Sequence, residues 1–97
     1  MAGSQMDYQG KATVTFHCDQ FHMSDYNLSE YYYEDVEMHI RRQNHDVLRI
    51  ILPMLDGMRG CSSMVIQTPD DSFLGTNLSV YPLADNLCLL TVKYFVM

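Results

Sequence analysis

The stretch VLRIILPMLDGM (residues 47–58) decides the fold, and it fits two templates. Val47, Leu48, Ile51, Met54, Leu55 and Met58 recur at the three- and four-residue intervals of one helical face. Pro53 opposes an unbroken helix, because it removes a backbone donor and its ring clashes with the preceding turn. Either a helix kinks at Pro53, or VLRIIL is a strand and a new turn begins at the proline. The helical spacing favours the kinked helix, capped by Asn44 or Asp46 and ended near Gly57 or Gly60.

Upstream, KATVTFHC (11–18) alternates cleanly, with Ala12, Val14, Phe16 and Cys18 on one face and Lys11, Thr13, Thr15 and His17 on the other. Its β-branched residues make it the first strand. DQFHMSDYNLS (19–29) is polar and turn-prone and reads as a long loop. SEYYYEDVEMH (29–39) again fits both templates. A helix capped by Ser29 would align Tyr33, Val36 and Ile40; a strand would turn Val36, Met38 and Ile40 inward and Glu37, His39 and Arg41 outward. Three successive tyrosines favour a strand over 33–42.

Downstream, SSMVIQT (62–68), FLGTNLSVY (73–81) and LCLLTVKYFVM (87–97) read as an antiparallel three-strand meander reversed at PDDS and PLADN. Leu74, Thr76, Leu78 and Val80 are expected to share one face, as are Leu90, Val92, Tyr94 and Val96. The apolar last strand must be paired and covered, by its own domain or by a second copy in a homodimer. The expected fold is therefore α+β: a mostly antiparallel sheet of four to five strands with one helix, kinked at Pro53, packed on one face. An all-β meander is the alternative.

The 97 residues, 47% hydrophobic and 11% aromatic, suit a single globular domain over 6–97. Residues 1–5, MAGSQ, are small and polar and precede a second methionine, Met6; they are set aside as a cloning remnant or disordered tail. The longest apolar run, VLRIILPML, is half the length of a membrane-spanning helix and contains Arg49. No basic-then-apolar secretory pattern opens the chain, and Cys18, Cys61 and Cys88 form no CxxC pair. A cytoplasmic protein with reduced thiols is the expectation.

The net charge of −6 is unevenly placed. Residues 12–40 hold Asp19, Asp25, Glu30, Glu34, Asp35 and Glu37 without a single Lys or Arg, whereas charges beyond residue 40 balance. Such a region repels phosphates and anionic membranes and attracts cations. Direct binding of nucleic acid or membrane is disfavoured.

Signatures of chemistry are weak. His17, Cys18, His22 and Asp25 match no common zinc spacing, and strand alternation sends His17 and Cys18 to opposite faces. The same geometry argues against a Cys–His nucleophilic pair. Glu34, Asp35 and Glu37 read as a solvated run rather than an acid–base pair, which would need a desolvated carboxyl. Gly57 and Gly60 lack the neighbours of a phosphate loop. No catalytic residue, metal ligand or cofactor is assigned.

One feature has a positive functional reading. Asp25, Tyr26, Glu30, Tyr31, Tyr32, Tyr33, Glu34, Asp35 and Glu37 interleave aromatic rings with carboxylates. Tyrosine offers large contact area at low entropic cost, and carboxylates beside it suit a partner rich in Arg or Lys. The expectation is a non-enzymatic interaction protein that binds and inhibits a basic protein surface, such as the nucleic-acid-binding face of a nuclease. Immunity proteins, antitoxins and phage anti-defence inhibitors share this profile of size and charge, by analogy of properties alone. A small enzyme or ligand-binding sheet domain, with its pocket between helix and sheet, is the rival. A structural subunit assembling through the C-terminal strand is the third reading.

Overall fold

The computed structural model describes residues 7–22 and 25–97, with 19–22 and 25–29 by their backbone alone. The expectation for residues 1–5 lies outside the described residues. Six strands follow in order: β1 (Asp7–His22), β2 (Asp25–Asn44), β3 (Val47–Pro53), β4 (Ser63–Gln67), β5 (Ser72–Pro82) and β6 (Leu87–Val96). All neighbours are antiparallel, and the sheet closes into a barrel in the order β1-β2-β3-β6-β5-β4.

The α+β expectation is therefore corrected: the fold is all-β, with six strands rather than four or five, and no helix among the described residues. Residues 47–53 form a strand because its two-residue period buries Leu48, Ile50 and Leu52 while Val47, Arg49 and Ile51 face outward. A helical face built on 47, 48, 51, 54, 55 and 58 would have left Ile50 and Leu52 outside. β3 also gains ladders on both sides, to β2 and to β6. Pro53 is tolerated because it is the last residue of β3, beyond the final β2 pairing of Ile51 with His39.

From Pro53 the chain crosses one end of the barrel before entering β4. Gly57 and Gly60, at φ +87° and +85°, allow the reversals of this crossing segment. The crossing drives Met58 into the interior, where its sulfur lies 3.1 Å from Cys88 Sγ. Around it pack Val14, Phe16, Met38, Ile40, Leu48, Ile50, Leu52, Met64, Ile66, Phe73, Leu90 and Val92. All buried residues among those described are apolar.

Three irregularities re-aim side chains. Between Ala12↔Val36 and Val14↔Tyr33, β2 carries an extra residue, and Asp35 adopts φ +55° there. A second shift lies at Arg42/Asn44 opposite β3. A third, at Thr76/Ser79 with Asn77 at φ +54°, reverses the faces of β5. Hence Leu74 and Thr76 do not share a face with Leu78 and Val80: Phe73 and Gly75 point inward before the bulge, and Leu78 and Val80 reach the core after it. In β6, Leu90 and Val92 are buried and Tyr94 packs edge-on to Phe73, but Val96 is exposed at the barrel rim.

The loop expected over 19–29 is also corrected. Phe21↔Tyr26 and His22↔Asp25 continue the β1–β2 ladder. Beyond His17 no third strand joins this ribbon among the described residues, and the molecule extends to 54 × 30 × 21 Å. The sequence there, DQFHMSDYNLS, is polar and turn-prone and carries no apolar alternation, so the strand pattern is silent. β6 is paired by β3 on one side and by β5 on the other, while Phe95 and Val96 at its end stay exposed.

Candidate functional site

β1 and β2 place the tyrosine–carboxylate stretch on two sides of one sheet. Phe16↔Tyr31 and Val14↔Tyr33 occupy inward positions, whereas His17↔Glu30 and Thr15↔Tyr32 face outward. The bulge at Asp35 resets this alternation so that Val36 and Met38 are buried and Glu37 faces outward, opposite Lys11. Under unbroken alternation from 33 to 37, Tyr33 and Glu37 would share a face. The bulge thus lets one strand bury Tyr33, Val36, Met38 and Ile40 in part or whole while Glu30, Tyr32, Glu34 and Glu37 line up outside.

This outer stripe spans roughly 20 Å at the rise of an extended strand. Tyr32 is its aromatic centre, 59% exposed, and its hydroxyl donates to Glu34 Oε2 at 3.1 Å. That hydrogen bond raises the Tyr32 pKa, since the phenol must keep its proton to make it, and desolvation and the Glu34 charge add to the shift. Glu30 lies 3.2 Å from His17 Nδ1. Asp35 is exposed on the bulge. Four carboxylates against Lys11 and a histidine leave the face acidic.

Tyr31 and Tyr33 do a different job. Tyr33 packs edge-on to Phe16, with centroids 6.3 Å apart, and donates its hydroxyl to the Asp56 carbonyl at 2.8 Å. Its pKa is raised, first by desolvation and then by the Asp56 charge. The Tyr31 ring lies against Gly57, filling the space where a Cβ would project. These two rings hold the crossing segment over the barrel end, and Cys18 Sγ joins them by donating to the Gly57 carbonyl at 3.3 Å. Asp25 and Tyr26 belong to the ribbon by backbone; their side chains lie outside the described residues.

The expected site residues therefore separate. Glu30, Tyr32, Glu34, Asp35 and Glu37 form one exposed surface; Tyr33 supports the fold beneath it, and Tyr31, still 37% exposed, packs its ring against Gly57. His17 and Lys11, which temper the charge, were missed because cross-strand register is needed to place them. The second edge of β2 adds a further element: β3 pairs with β2 only from His39 onward, so over 30–38 no strand joins that edge among the described residues.

Among the described residues, no helix is long and apolar enough to cross a membrane. Comparison with protein-family models, with curated proteins and with solved structures returned no match.

Proposed function

We propose that the protein is a non-enzymatic interaction protein that binds, and by covering it inhibits, a basic protein surface. The observation carrying this reading is the outward stripe of Glu30, Tyr32, Glu34 and Glu37, with Asp35 beside it on the bulge. A ring flanked by carboxylates on a rigid strand offers contact area and charge at low entropic cost, and it engages Arg and Lys through cation–π and ionic contacts together. The β2 edge over 30–38, which no strand joins among the described residues, offers backbone groups to an extended basic segment of the partner. A nucleic-acid-binding protein fits this chemistry, whereas nucleic acid itself is repelled. The cytoplasm is the proposed site of action, where the three thiols stay reduced.

Affinity capture from the source organism, comparing the native chain with a Glu34→Lys, Asp35→Lys, Glu37→Lys variant, tests this. A basic protein should be retained by the native chain, released by salt, and lost in the variant. Retention of the same proteins by both chains would overturn the reading.

A second reading rests on the bulge. Carboxylates and a β-bulge beside an unpaired edge are also what keeps strands of neighbouring molecules from pairing. If that is their role, the triple variant should aggregate at concentrations where the native chain stays monodisperse by light scattering.

A further inference from the structure

The outer face of β2 changes sign along its length. Past Glu37 come His39 and Arg41, and the register sets Arg41 directly opposite Arg49 of β3. Like charges facing each other across a ladder destabilise it, and nothing in the fold demands them, since both side chains are exposed. Asp7 lies 2.8 Å from His39 and 3.8 Å from Arg41. Arg49 has no ion pair or hydrogen bond among the described residues. In a chain of net charge −6, three of the six Lys and Arg residues, Arg41, Arg42 and Arg49, gather here.

The adjacent row starts at His39 and continues with apolar side chains. His39 is opposite Ile51, which is opposite Leu89. With Leu83 these side chains floor a groove of about 520 Å³ whose walls carry the three arginines. Ile51 and Leu83 are both more than a third exposed, at 38% and 37%. The volume is that of a small-molecule site, and its lining is mixed: Ile51, Leu83 and Leu89 are apolar, while His39, Gln43 and the three arginines are polar.

We propose that this groove binds a small amphipathic anion, a carboxylate or phosphate monoester held by Arg41 and Arg49 with its apolar body on Ile51, Leu83 and Leu89. Guanidinium groups present planar forks of donors that match both head groups. An oxyanion between Arg41 and Arg49 converts their mutual repulsion into two attractions. Inorganic anions alone leave the apolar floor in water, and neutral alkyl compounds leave the repulsion between Arg41 and Arg49 unrelieved. A polyanion would need a longer basic track than one bounded by Glu37. The site goes beyond the partner-binding stripe and uses none of its residues.

The test is titration of the full chain, by calorimetry and amide NMR, with hexanoate and hexyl phosphate as probes. Inorganic phosphate and hexanol serve as head-only and body-only controls. At least one probe should bind saturably with a dissociation constant below about 1 mM, shifting Arg41, Arg49, Ile51 and Leu89, and each control should bind at least about tenfold more weakly. Arg49→Gln should weaken binding about tenfold or more, and Arg41→Gln with Arg49→Gln should abolish it. Arg59→Gln, a change at an exposed arginine of the crossing segment, should leave it intact. The tighter of the two probes identifies the head group.

Absence of saturable binding, an undiminished affinity in the double variant, or an equal loss in Arg59→Gln would overturn the proposal. Shifts at the same residues with protein concentration alone would assign the groove to a second copy and overturn it too. Capture of a basic partner by the double variant remains a separate readout, so loss of this site and loss of the partner stripe are distinguishable.

Discussion

The hydroxyl of Tyr33 donates to the carbonyl of Asp56 at 2.8 Å, joining β2 to the segment that closes the barrel end. Tyr32, its neighbour in sequence, donates instead to Glu34 on the outer face. Adjacent tyrosines thus have separable roles. Tyr33→Phe should lower stability by about 1 kcal/mol through the lost bond, and Tyr33→Ala by about 2–4 kcal/mol through lost packing on Phe16. Tyr32→Ala should change it by less than about 0.5 kcal/mol. Urea unfolding of the three variants measures the difference.

Gly57 is a second point of closure. It holds φ +87°, and an added Cβ would collide with the Tyr31 ring. Gly57→Ala should cost more than about 1 kcal/mol from the backbone alone, with displacement of Tyr31 adding to it. Gly60, at φ +85° with open space around its Cα, should show only the backbone part. Parallel thermal melts of the two alanine variants separate strain from collision.

Met58 is the interior end of the crossing segment, 1% exposed and in contact with Cys88. Met58→Ala should cost about 2–5 kcal/mol by opening a cavity, while Met58→Leu should cost less than about 1.5 kcal/mol. Equal effects in denaturant unfolding would mean that the segment does not plug the barrel.

The outer ring should matter for binding rather than for folding. Once a basic partner is in hand, Tyr32→Ala should weaken the complex about tenfold or more with an unchanged thermal midpoint. Glu34→Gln and Glu37→Gln should each reduce the salt dependence of association, read from association rates between low and physiological ionic strength.

Alkaline pH should destabilise the fold. Burial, and then the neighbouring Cys18 thiol, push the Cys61 pKa up from 9.0 to about 11. The folded state keeps the Cys61 proton after the unfolded chain has lost it, so this contribution is complete below about pH 8.5. It declines as pH rises through the unfolded value and is gone above about 11. The thermal midpoint should therefore fall between about pH 9 and 11, and Cys61→Ala should fall less steeply over that interval. Iodoacetamide should label Cys61 at pH 8 more slowly than a free cysteine, because the thiolate is the reactive form.

How much of this was legible depends on whether a signal is local. The alternation of KATVTFHC and of Val36, Met38 and Ile40 identified two strands, although both run longer than their apolar pattern, to Asp7–His22 and Asp25–Asn44. The last three strands were readable from their turns. The stretch 47–58 was not: Leu48, Ile51, Leu55 and Met58 satisfy a helical period, yet the first two lie in β3, and Met58 reaches the interior along an irregular path. The faces of β5 were misread because a single extra residue near Asn77 inverts the alternation, and no composition rule marks that position.

The sequence by itself determined that this chain is acidic in its N-terminal third, rich in strand-forming residues, and bound to expose at least one of three adjacent tyrosines. Those properties follow from residue type and from the two-residue period of an extended backbone. Only the tertiary structure decided that Tyr32 lies on the outer face while Tyr31 and Tyr33 turn toward the crossing segment, that Arg41 meets Arg49, and that β3 is a strand. Each depends on register and on partners far along the chain, where ladders to β2 and β6 outweigh the local helical spacing of residues 47–58.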